Sequence, residues 1–119
     1  MDAALVRYIE LSISQKLPFS VMYQGHKRFV CPHLLGENAA GRLVLHAFQY
    51  AGGSSKGEIE SPEKGEWRFL YLDGFESFPE GAWSEWLPAG LKKSDVEEKY
   101  VPPKFIVRVL AICPRETES

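Results

Sequence analysis

Long apolar runs are missing from this chain of 119 residues. No stretch approaches the roughly 18 residues that a membrane-spanning helix needs. The first residues carry no apolar core of the kind a secretory signal uses. Cysteine is scarce as well: Cys31 and Cys113 are the only two, too few for the disulfide framework of a small secreted domain. Both lie in apolar, strand-like runs, the setting of free thiols that pack as small hydrophobes. These absences together point to a cytoplasmic protein without a membrane partner. Excess positive charge is lacking too. The formal net charge is −2, which argues against generic duplex-DNA binding, because that needs clustered Lys and Arg to displace counterions. Catalytic signatures are equally sparse. The stretch "AGGSSKG" at 51–57 has neither the G-x-x-x-x-G-K-[ST] spacing of a phosphate-cradling loop nor the strand–elbow–helix setting of a hydrolase nucleophile. No pair of carboxylates stands out for general acid–base work. The expectation is a protein that is not an enzyme and carries no cofactor.

What the chain does have is aromatic bulk. Three Trp, five Tyr and seven Phe bury enough area to build one hydrophobic core without disulfide staples. Residues 1–119 therefore read as a single domain. Charge divides unevenly along it, with +3 over residues 1–57 and −5 over 58–119. A mildly basic first half suits a small anionic ligand, and it equally suits a plain solvated surface.

The stretch "DAALVRYIELSISQKL" predicts a helix. Asp2 is a good N-cap, Leu5, Ile9 and Ile13 recur at i, i+4 and i+8, and Pro18 closes the pattern. From there the chain reads mostly as strands: 19–23, 28–35, 42–50, 67–75 and 104–113. Gly25 and His26 fall in the first turn. Pro32 suits an edge or a bulge better than a central ladder position. Residues 51–66, rich in Gly, Ser and charge, read as a mobile surface loop. Residues 79–103 read as an irregular insertion pinned by Trp83 and Trp86, with Ser94 and Glu97 at capping-box spacing. One N-terminal helix and about five mostly antiparallel strands predict a mainly β, α+β fold, a small barrel with a helix across one end.

His33 and His46 sit inside the two most apolar strands. If 28–35 and 42–50 pair as a hairpin centred near Asn38 and Ala39, Cys31 faces His46 and His33 faces Val44. Strict alternation then gives one face Phe29, Cys31, His33, Leu35, Arg42, Val44, His46, Phe48 and Tyr50. Arg28, Val30, Leu34, Leu43, Leu45, Ala47 and Gln49 take the other. One Cys and two His are raw material for a soft-metal site. However, no C-x-x-C or fourth ligand accompanies them, and Asp and Glu are absent from 11–36. No metal is therefore assigned. The histidines remain either core residues or the polar lining of a ligand pocket.

Taken in order, "VMY", "RFVCPHLLG", "GRLVLHAFQYAGGS" and "WRFLYLDGFESF" resemble the WYL domain family over about residues 5–78. Where that family carries its Trp-Tyr-Leu triplet, this chain has Leu43-Val44-Leu45. Where it carries Phe-Arg-Leu-Asp-Arg, this chain has Leu70-Tyr71-Leu72-Asp73-Gly74, without either arginine. The chain looks closer to short, stand-alone relatives than to regulators with an attached winged helix. The resemblance implies an Sm/SH3-like β-barrel that binds a nucleotide-like or other anionic ligand and regulates a partner in bacteria. It suggests Tyr23, Arg28, His33, His46 and Arg68 as ligand-binding residues. Arg28 and Arg68 would fork onto phosphate oxygens, the histidines would hydrogen-bond, and Tyr23 would stack on a base. For the two arginines, an edge-strand pairing with a nearby Glu is the competing reading. Two other functions stay open. One is single-stranded nucleic-acid binding on aromatic platforms, which the acidic second half disfavours. The other is a protein-interaction role, in which an exposed edge strand or the Trp83/Trp86 loop forms a homodimer.

Overall fold

The structure, a computed structural model, describes residues 3–82 and 101–114. Helix α1 spans Ala3–Gln15, and Leu5, Ile9, Ser12 and Ile13 form its buried stripe. It ends where Lys16 turns to φ 55° and the Leu17 amide donates to the Ser12 carbonyl at 2.8 Å. Pro18, with no amide hydrogen, cannot continue the ladder. The expected cap, Asp2, lies outside the described residues.

Strand β1 (Phe19–Tyr23) turns into β2 (His26–Asn38) through Gln24 and Gly25, whose φ values are 51° and 78°. Two successive positive φ angles match the twist of the flanking strands, which is why this two-residue hairpin is tight. His26, expected in the turn, opens β2 opposite Tyr23. At the far end Asn38 Oδ1 accepts hydrogen bonds from the amides of Ala40 and Arg42, folding the chain back into β3 (Leu43–Ser54). Strand β4 (Gly57–Glu58) pairs with the end of β3. Strand β5 (Glu66–Tyr71) pairs along its middle. Two further strands complete the sheet: β6 (Glu80–Gly81) beside β1, and β7 (Ile106–Ile112) beside β2.

All pairings are antiparallel, and the sheet curls into a half-barrel. β3 runs along one edge of β2, while the opposite edge pairs first with β1 and then with β7. Register shifts at Phe29/Val30 and Pro32/Leu34 bend the long β2–β3 ribbon. After β5 a 3₁₀ turn at Leu72–Gly74 swings the chain onto β1, where Tyr23 bridges Phe75. Along the same edge the Glu76 amide donates to Met22 O at 2.8 Å. One continuous segment thus joins the far sides of the sheet. The concave core holds Phe19, Val21, Val30, Leu35, Leu45, Ala47 and Leu70 together with Leu5, Ile9 and Ile13 from α1. The fold is therefore mainly β with one N-terminal helix, as the sequence predicts.

The hairpin register differs from expectation. Cys31 faces Phe48 rather than His46, His46 faces Leu34, and Val44 faces Gly36. Unbroken alternation fails because the bulge at His33 inserts one unpaired residue. As a result Leu35 turns into the concave core while Leu34 joins His46 on the convex face. Residues 51–66 also hold more structure than a loop: β3 continues to Ser54, β4 pairs with it, and a 3₁₀ turn follows at Pro62–Lys64. Gly65, just after that turn, lies against the Phe48 ring. Beneath it a second apolar cluster, Cys31, Phe48 and Tyr50, packs with Phe29, Ala51 and Trp67. The expectations for Trp83, Trp86, Ser94 and Glu97 fall outside the described residues. Among those residues, no helix is long and apolar enough to cross a membrane.

Candidate functional site

At one end of the concave face the alternation of β2, β3 and β5 aims Arg28, Gln49 and Arg68 at a common point. Gln49 is fully buried. Its Oε1 accepts from Arg28 Nη1 at 3.4 Å and from Arg68 Nε at 3.2 Å. Its amide nitrogen donates to Ala51 O and Gly53 O, each at 3.1 Å. Those two donations fix which end of the amide faces the arginines, because a flipped amide would set donor against donor and acceptor against acceptor. A neutral oxygen thus holds two guanidinium groups side by side.

The two arginines are not equivalent. Arg68 pairs with Glu66 at 3.0 Å and donates to Ser54 Oγ at 3.3 Å. Arg28 is only 3% exposed, and its remaining hydrogen-bond and ring partners among the described residues are neutral. Its Nε donates to the Tyr23 carbonyl at 3.3 Å, and the guanidinium lies 5.3 Å from the Tyr23 ring centre. Among the described residues it forms no ion pair with a carboxylate. Burial, and secondarily the charge of Arg68, push its pKa below the ordinary arginine value, since both disfavour the cation.

These groups line an open cleft of about 310 Å³. Tyr23, Leu70 and Tyr71 contribute to its walls, and the β3–β4 turn brings Ser54, Ser55 and Lys56. The Tyr23 hydroxyl accepts from the Tyr71 amide at 3.1 Å, which ties the end of β1 to the end of β5. Tyr71 is held from outside: the Arg42 guanidinium lies 3.9 Å from its ring centre and grips Asp73 bidentately at 2.8 and 3.0 Å. That grip raises the Arg42 pKa and holds the Asp73 carboxyl below the usual carboxylate range. A Cβ on Gly74 would come 2.9 Å from the Tyr23 ring, so the tyrosine occupies the space a side chain there would need.

Three of the five expected ligand-binding residues, Tyr23, Arg28 and Arg68, therefore meet in one cleft, and His33 and His46 do not join them. Both histidine rings contact aromatic residues on the convex side. His46 stacks on Phe69 at 4.5 Å and meets Trp67 at 4.7 Å. His33 is fully buried, with Nδ1 2.9 Å from Cys31 O and its ring edge-on to Trp67 at 4.7 Å. Burial first, then His33, lowers the His46 pKa to about 4. Among the described residues no three His, Cys, Asp or Glu side chains gather closely enough to hold a metal ion. Sequence reasoning overlooked Gln49, Lys56 and Tyr71 as site residues. The available signal was Gln49, an uncharged polar residue in an otherwise apolar strand and on the face already given to Arg28.

The chain matches no protein-family model, no curated protein and no solved structure.

Proposed function

We propose that this protein is a non-enzymatic, cytoplasmic ligand-binding module of the WYL type, whose cleft takes a small anionic, nucleotide-like ligand. The observation that carries this reading is Arg28, a buried cation without an ion-pair partner among the described residues, held beside a second arginine by a neutral amide. Burying a charge costs several kcal/mol unless an opposite charge accompanies it. An anion bound between Arg28 and Arg68 would supply that charge, and the tyrosine walls would take a flat base or other apolar group. Lys56 and Ser55 would add donors from the β3–β4 turn. The bound ligand would regulate a partner by changing the surface that this end of the half-barrel presents.

The test is calorimetric titration against a panel of nucleotides and inorganic anions, run on the wild type and on the Arg28→Ala and Arg68→Ala variants. The reading expects millimolar or tighter binding of at least one anion by the wild type and its loss in both variants. Equal binding by all three proteins would remove the cleft from the account.

A second reading concerns assembly and rests on β7. Its Val107, Val109 and Ile112 are 64%, 43% and 43% exposed. Only one edge of β7 is hydrogen-bonded among the described residues. An open apolar edge strand suits pairing with a second copy. Light scattering that shows a monomer at high protein concentration would dismiss this reading.

A further inference from the structure

The cations of the cleft outnumber its carboxylates, and the most important of them is the least accessible. Arg28, Arg68 and Lys56 line the space. Glu66 takes one hydrogen of Arg68, and Glu76, the other nearby carboxylate, accepts from the Gly25 amide at 3.0 Å. Glu76 keeps its charge and acts electrostatically on Arg28, so three cations face two carboxylates, an excess of one positive charge. Hydrogen-bonding capacity is also restricted. The Nε atoms of both arginines are already engaged, by Tyr23 O and Gln49 Oε1. Neither arginine can therefore offer the side-on Nε–Nη fork, and the free donors at Arg28 are the terminal Nη hydrogens not already given to Gln49 Oε1. Because Arg28 is 3% exposed, only a compact group at the end of a ligand reaches those hydrogens.

Resting on the anion-binding reading above, we propose that the cleft recognises a terminal phosphate monoester rather than an internal phosphodiester. A monoester carries about −1.5 to −2 charge at pH 7 and three strong acceptor oxygens. Its three oxygens suit the end-on donors of Arg28, with Arg68 and Lys56 beside them. A diester carries about one negative charge and must extend in both directions from the phosphorus. Access to a guanidinium buried this deeply favours a compact group, and a phosphorus carrying one organic substituent is more compact than one carrying two. The ligand enters phosphate first, and its nucleoside or other organic part lies against the tyrosines.

The test compares the dinucleotide TpT with pTpT, which differs only by a 5′-terminal phosphate. Inorganic phosphate is the third probe. Binding is read from the arginine Nε–H resonances of the full chain by two-dimensional NMR, with Arg28→Gln and Arg68→Gln used to assign them. The proposal expects pTpT to shift the Arg28 and Arg68 resonances at concentrations at least tenfold lower than TpT. It also expects inorganic phosphate to compete with pTpT. If TpT and pTpT bind alike, or inorganic phosphate shifts these resonances while pTpT gains nothing over TpT, the end-group assignment falls and the anion site survives. If none of the three probes shifts either resonance, both fall.

Discussion

A residue kept for a ligand and a residue kept for the fold respond oppositely to Arg28→Met. Methionine nearly matches the arginine in length, is apolar, and adapts to irregular space. The substitution removes two long hydrogen bonds to neutral acceptors, at 3.3 and 3.4 Å, worth about 1 kcal/mol each. It also removes a cation–π contact with Tyr23, worth roughly 1 kcal/mol. Against these losses stands relief from burying a charge with no ion-pair partner among the described residues, about several kcal/mol. Gln49 Oε1 keeps Arg68 as a donor, so no buried acceptor is orphaned there. The balance favours the variant by about 1–2 kcal/mol, which for a domain near this size raises Tm by about 4–10 °C. Urea denaturation with an unchanged m-value measures it. Added inorganic phosphate should stabilise the wild type by RT ln(1 + [L]/Kd), about 2.7 kcal/mol at a hundredfold excess over Kd, and leave the methionine variant unmoved. A variant less stable than the wild type by about 2 kcal/mol or more would make Arg28 a structural residue and refute the reasoning.

Three further outcomes follow from the same contacts. Gln49→Leu strips donors from two backbone carbonyls and the shared acceptor from two arginines. It should cost about 3 kcal/mol of unfolding free energy by urea titration, at roughly 1–3 kcal/mol for each buried group left unsatisfied. Gly74→Arg should lower stability by about 1–3 kcal/mol because its Cβ meets the Tyr23 ring. A thermal melt reads this, and a neutral result would mean the ring moves freely. The His46 pKa lies below that of an unfolded histidine, at about 4, so the unfolded chain takes up the proton first. His46 therefore adds stability above about pH 6.5, and that stability drains away as pH falls toward 4, by about 2–3 kcal/mol allowing for partial exposure. Comparing wild type with His46→Phe at pH 7 and pH 5 isolates this effect, and parallel curves would contradict it.

Much of the scaffold is legible in the residues. Ile9 and Ile13 mark the buried stripe of α1, Gly25 marks the tight hairpin, and the apolar runs mark β1, β2, β3 and β7. The exact pairing of β2 with β3 is not, because it turns on a single bulge. Nothing in "VCPHLLG" beyond Pro32 announces that His33 will be skipped, yet that skip moves Leu35 to the opposite face. Alternation alone already separated His46 from Arg28, and the structure keeps them apart. Only the family resemblance groups them in one site. Gln49 escaped notice for a different reason: an amide's importance lies in what it bridges, and the partners come from strands 21 and 19 residues away.

The central claim, that the cleft holds an anion between Arg28 and Arg68, is tested most directly by crystals grown with tungstate, a tetrahedral dianion visible by its anomalous scattering. The account predicts an anomalous peak in the cleft with oxygens about 3 Å from the Nη atoms of both arginines. Tungstate bound only elsewhere on the surface, with the cleft empty, would contradict it.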